Sequence, residues 1–184
     1  MNAAESIKEL EILKQNILSD DWELVKGSAD GLATIGGDDV VEFLISLLES
    51  ENPITRNGAA LALEQIGDNR AVEPLLKAVF KKENHGCNGT MVFALESLDC
   101  SSKLKEIFKI LFYETYEARM SAESILSEQV FEFTRDDLNE ISEMWQDCQL
   151  HSEKCPEIEN DEVRISIQNS VDGFLAYLKE DRKY

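Results

Sequence analysis

The stretch Asn52-Pro-Ile-Thr-Arg-Asn-Gly-Ala-Ala-Leu-Ala-Leu-Glu-Gln-Ile-Gly-Asp-Asn-Arg-Ala-Val-Glu-Pro-Leu-Leu-Lys-Ala-Val79 decides the architecture. Apolar residues recur at helical spacing in two stripes, Ala59, Ala60, Leu63 and Ile66, then Val72, Leu75, Leu76 and Val79 with Phe80 just beyond. Gly67 lies between them and can take the left-handed conformation that ends a helix without a Cβ clash, so the stripes are two separate helices. Asp68-Asn69 offers capping oxygens to the second. Pro74 lacks an N–H and places that helix start no earlier than about residue 71, while Pro53 marks the first turn of a helix over 54–66.

The same unit returns along the chain with a period of 31 residues. Ser28-Ala29, Leu32, Ile35-Gly36, Val40-Val41 and Phe43-Leu44 match Ala59-Ala60, Leu63, Ile66-Gly67, Ala71-Val72 and Pro74-Leu75. A third copy aligns Ala94-Leu95 and Leu98 with Ala62-Leu63 and Ile66, and a fourth is centred on Arg119 to Leu126, with Arg119 two periods beyond Arg56. The resulting map has helices near 4–18, 22–35, 39–49, 54–66, 71–82, 89–98, 102–112, 115–127, 135–149 and 161–179, and no strand. Helical pairs at this period stack because one pair alone cannot cover its apolar faces.

The quoted stretch resembles a HEAT-like repeat, of the bacterial kind also found in phycobilin lyases. The resemblance is specific over Asp20 to Lys82, fair through Phe112 and weak beyond. It implies that Arg56 and Asp68 tie neighbouring turns together in a structural role. In the third unit Asp99 replaces the turn glycine and Cys100 follows; the fourth unit has neither glycine nor an obvious Asp at its turn. The expected fold is an all-α, right-handed α-solenoid of about four HEAT-like helical hairpins with capping helices. Residues 1–184 form a single domain in this reading: an N-terminal cap helix over 1–20 (Ile7, Leu10, Leu13, Ile17), repeats over 20–149, an acidic linker over 150–160 around Cys155-Pro156, and a C-terminal cap helix over 161–184. That last helix carries Val163, Ile167, Val171, Phe174, Leu175 and Leu178 and is expected to pack back on the repeats, as Trp145, Met144 and Ile141 pack the last full pair.

Composition narrows the function. The 184 residues are 43% apolar, enough for a core, and carry 37 acidic against 18 basic side chains for a net charge of −19. Affinity for phosphate backbones comes from Lys and Arg displacing counterions, so nucleic-acid binding is not expected. No apolar run reaches the roughly 18 residues of a membrane span. Met1 to Asp20 reads as an amphipathic helix without a signal pattern, giving the expectation of a cytoplasmic protein with no membrane partner. Four cysteines, Cys87, Cys100, Cys148 and Cys155, make no dense framework, so reduced thiols are the default.

Little points to catalysis. Gly36-Gly37 and the glycines at 86 and 89 lack the spacing and preceding strand of a phosphate loop. Cys148, His151 and Cys155 offer three ligands at spacings unlike paired zinc knuckles, with His85, Cys87 and Cys100 elsewhere, so no metal and no other cofactor is expected. His85 and Cys87 lie two apart at a turn, where surface residues are commoner than a nucleophile and its base. Not being an enzyme is therefore the expectation. Trp22 and Tyr116 are read as inter-repeat packing in preference to partner anchors.

Charge distribution carries the functional expectation. Residues 1–92 hold 16 acids and 8 bases, and residues 93–184 hold 21 and 10. In HEAT-like stacks the second helix of each pair lines the concave surface, which implies that Asp38, Asp39, Glu42 and Glu49 face a groove at one end and Asp136, Asp137, Glu140, Glu143 and Asp147 at the other. Lys77, Lys81, Lys103, Lys105 and Lys109 would make a basic centre. Such a pattern steers and orients a charged protein partner, and it also serves solubility. The segment Asn88-Gly89-Thr-Met-Val-Phe-Ala-Leu-Glu-Ser-Leu-Asp-Cys100 is similar to segments of small bacterial HEAT-like proteins associated with polymorphic toxin systems. That resemblance implies a non-catalytic immunity or antitoxin protein occluding a basic toxin domain. The alternatives are a general scaffold or regulatory adaptor and, in another class, a lyase-like chromophore or cofactor helper. A glycosylase-like DNA enzyme on this fold is opposed by the charge.

Overall fold

Helix α4, Pro53–Ile66, is built as its sequence requires: Asn52 Oδ1 accepts from the Ile54 N–H at 2.9 Å, Pro53 occupies the first turn, and Gly67 closes the helix in the left-handed region at φ 70°. In the computed structural model, which describes residues 3–180 and the side chains of 5–178, all regular structure is helical. Residues 1–2 and 181–184, the outer ends of the two expected cap helices, lie outside the described residues. Among the described residues no helix is long and apolar enough to cross a membrane.

The chain divides into two compact units, Met1–Asn84 and His85–Tyr184. In the first, α1 (Ala3–Asn16) packs on α2 (Trp22–Ile35), α2 packs on α4, and α3 (Asp38–Leu47) packs on both α2 and α4. A 3-10 turn over Asn69–Ala71 leads into α5 (Val72–Val79), and a second turn over Lys82–Asn84 ends the unit. Ile17, Val25, Leu32, Leu44, Leu63, Leu75 and Val79 form its core, all without exposure. The α2–α4 approach is close because position 58 is glycine: a Cβ there would overlap Val25 Cγ1. Two apolar stripes end short of their expected lengths, since Ile7 is 64% and Phe80 is 42% exposed.

The second unit contains α6 (Gly89–Leu95), α7 (Leu104–Tyr113), α8 (Tyr116–Glu128), α9 (Arg135–Leu150), α10 (Asp161–Leu175) and the single turn α11 (Tyr177–Glu180). Helix α8 packs on α6, α7 and α10, while α9 packs on α7 and α10. Phe108 is the hub: its ring lies 5.6 Å from Phe112 and 5.4 Å from Phe174 of α10. Phe112 stacks on Trp145 at 5.7 Å, and Trp145 Nε1 donates to Gln168 Oε1 at 2.9 Å, so α10 does pack back on the preceding helices. The final helix is shorter than expected, breaking at Ala176 before α11. Helix α6 likewise stops at Leu95, and the missing turn glycine is replaced by Gln129, which receives the Cys100 N–H at 2.9 Å and donates to the carbonyls of Glu96 and Leu98 at 3.2 and 3.0 Å.

Candidate functional site

In the first unit the acidic candidates sit around α3. Asp38 and Asp39 occupy its first turn, where negative charge complements the helix dipole, and Glu42 lies one turn on; all three are exposed. Asp38 Oδ1 accepts from Arg70 Nη2 at 2.7 Å, and the same guanidinium binds Asp68 at 2.6 Å. Asp68 also caps the turn after α4 by accepting the Arg70 N–H at 2.9 Å, and its carboxyl is held below the ordinary range by the Arg70 side chain. Arg56, 7% exposed, donates through Nη1 to the carbonyls of Ser50 and Glu51 at 2.7 and 3.0 Å. Arg56 thus clasps the turn before its own helix, and Asp68 reaches α3 through Arg70.

Glu49 lies beyond the end of α3 at Leu47, not on the helix, and accepts hydrogen bonds from Lys81 and from Lys77, the latter at 3.0 Å. The Lys81 ammonium first, then Lys77, lowers the Glu49 pKa. Glu49 and Lys77 stand on the wall of an open depression of about 580 Å³ between α3 and α5, whose floor includes Ile45, Leu48 and Pro74.

In the second unit Lys105 of α7 bridges two acids of α9, with Nζ 3.0 Å from Asp137 and 3.2 Å from Glu140. Those carboxylates raise the Lys105 pKa, Asp137 contributing most. Asp137 is also the third residue of a capping box: it accepts from the Thr134 hydroxyl and N–H at 2.7 and 2.8 Å, while its own N–H donates to Thr134 Oγ1 at 3.2 Å. Its pKa is lowered to about 2, by Thr134 first and Lys105 after. Lys103 stands at the N-cap of α7 and Lys109 is exposed on the same helix. Asp136, Glu140 and Glu143 form an exposed stripe on α9 at helical spacing. Asp147, half-buried, holds Lys154 at 2.9 Å and His151 at 2.8 Å, and its pKa falls chiefly through Lys154.

Within each unit, then, acids and lysines interleave instead of segregating: Glu49 sits with Lys77 and Lys81, and Lys105 with Asp137 and Glu140. The reduced-thiol expectation is corrected for one pair, because Cys148 and Cys155 form a disulfide across the turn after α9. Trp22 and Tyr116 are 40% and 59% exposed, so each is only partly covered, and the Arg119 guanidinium lies 5.9 Å from the Tyr116 ring. His85 Nδ1 meets Glu114 Oε2 at 3.0 Å, and Cys87 is exposed. The contacts of Arg70 with Asp38, of Arg119 with Glu157 and of Gln129 with the turn after α6 have no signal in helical periodicity, which does not connect the residues involved.

Residues 10–96 match the family described as HEAT repeats, which supports a HEAT-like repeat protein. Among curated proteins none matches the chain.

Proposed function

We propose that this chain is a non-catalytic protein-binding module, an immunity or antitoxin protein that binds and occludes a basic toxin domain through its charged helical faces. About four hairpins of right-handed winding, and a cytoplasmic setting, belong to the same reading. The observation that supports it most is the exposed Asp136, Glu140 and Glu143 stripe on α9 in a chain of net charge −19. Exposed like charges on a rigid helix raise encounter rates with an oppositely charged protein and disfavour like-charged competitors. Asp137 and Lys105 serve that face indirectly, by starting α9 and tying it to α7.

The test is capture of partners by the tagged protein at moderate salt, with identification by mass spectrometry. One stoichiometric basic partner whose expression alone arrests growth is expected. Combined D136K, E140K and E143K reversal should slow its association about tenfold, more at low salt than at high. A spread of unrelated proteins, or an association rate indifferent to the reversals, overturns the reading and leaves a general scaffold.

A further inference from the structure

The second unit also holds an apolar opening whose lining shares no residue with the charged faces discussed above. It is a groove of about 540 Å³ between the end of α8, the connector over 129–133 and α10, with Phe131, Phe133, Phe174 and Tyr177 on its walls and Val130 at its lip. Val130 is 88% and Tyr177 55% exposed, so apolar surface is presented to solvent on both sides. The facing side of α10 is small: Asn169, Ser170 and Gly173 line the groove at helical spacing. Gly173 is the informative residue. A mid-helix glycine weakens a helix relative to alanine, and here no close approach requires it, because a Cβ at 173 would meet nothing within 4 Å. Its absent side chain leaves the groove open.

Charge says what fits there. Glu123 lines the groove, Glu128 and Glu132 are exposed on either side of Val130, and Asp172 is exposed beside Gly173. The segments 115–133 and 161–178 contain no lysine, and their two arginines are already engaged, Arg119 by Glu157 and Arg164 by Asp161. An apolar trough framed by carboxylates within a Debye length selects a ligand that is apolar at its centre and cationic at its edges. A floor of small residues admits a backbone or a large anchor side chain closely, as helix-in-groove recognition requires.

We infer that this groove is a docking site for a lysine- or arginine-rich protein segment that inserts one or two large apolar side chains. The inference does not depend on the toxin reading, since its residues are separate from the α9 stripe.

The experiment uses the full chain and a fluorescein-labelled amphipathic peptide of leucine, lysine and one tryptophan, read by fluorescence anisotropy. Two controls replace all its lysines by glutamate, or its leucines and tryptophan by serine. Two protein variants leave the net charge or the packing untouched: Gly173→Leu fills the trough at constant charge, and Val130→Lys alters a residue too exposed to support the core. The expected result is saturable binding that each variant weakens by about tenfold or more, with both control peptides weakened similarly. Equal binding by wild type and Gly173→Leu, checked for intact helicity by circular dichroism, overturns the site, because general attraction to an acidic protein is the same in both. Equal binding of the glutamate peptide overturns the cationic class of partner.

Discussion

Arg119 Nη2 donates to Glu157 Oε2 at 2.5 Å across 38 residues of sequence, joining the buried face of α8 to the connector before α10. Arg119 is 3% exposed, and its Nη1 also donates to the Pro156 carbonyl at 3.4 Å. Glu157, in contrast, is half-exposed and holds a left-handed backbone at φ 62°. Arg119 repeats Arg56 two periods on, yet the two reach opposite ways: Arg56 holds the turn before its helix, and Arg119 holds a segment that follows it. Arg119→Ala should cost about 2–3 kcal/mol, the scale of buried hydrogen bonds to a charged donor. Glu157→Gly should cost less than Arg119→Ala, because relief of the left-handed strain offsets part of the cost of leaving the buried Arg119 guanidinium without its carboxylate. Urea unfolding of the two variants separates these outcomes.

Asp137 predicts a pH dependence of defined sign. Its folded pKa, lowered to about 2, lies below the ordinary 3.8 that applies when unfolded, so its contribution is complete above that ordinary value and is lost as pH falls towards 2. Asp137→Asn should therefore be less stable than wild type at pH 7, with the difference closing between about pH 4 and pH 2. Thr134→Ala removes the other half of the capping box and should cost about 1 kcal/mol. Thermal unfolding by circular dichroism across this pH range provides the check.

Two glycines on facing helices should respond oppositely to the same substitution. At Gly58 a methyl overlaps Val25 and comes within 3.6 Å of Ile17, both fully buried, whereas at Gly27 it meets nothing within 4 Å. Gly58→Ala should destabilise by about 1–3 kcal/mol even after the gain in helix propensity. Gly27→Ala keeps that gain and should stabilise by up to about 1 kcal/mol. Equal effects in a denaturant titration would sink the account of the α2–α4 approach.

The Cys148–Cys155 bridge closes a short loop, and its loss should cost about 2–3 kcal/mol through the entropy returned to the unfolded chain. Unfolding with and without reductant measures this. Alkylation of the native oxidised protein at pH 8 should label exposed Cys87 and spare Cys100, whose thiol burial pushes up to about 12. Labelling of Cys148 or Cys155 under those conditions would refute the pairing.

Much of the helix map was legible because helix limits are local chemistry. Pro53 and the left-handed Gly67 act within a few residues of themselves, and α2, α4, α8 and α9 start and stop where apolar spacing and caps place them, to within a residue or two. The groove candidates were less legible. Asp137 carries the residue type of a steering charge but spends its oxygens on Thr134 and Lys105, and nothing in helical periodicity announces that. Trp22 and Tyr116 have the size of core residues, yet each is only partly covered.

What one strand of residues dictates alone is which segments become helices and which face of each is apolar, since both follow from backbone propensity and a 3.6-residue period. Which side chains then meet is settled by packing. Arg70 reaches Asp38 over 32 positions, Gln129 completes a turn 29 positions earlier, and Gly173 opens a groove against a connector of aromatic residues. These relationships depend on the distance and angle at which helices dock, and those are fixed by side-chain volume and close approach, at Gly58 and around Phe108, not by any pattern along the chain.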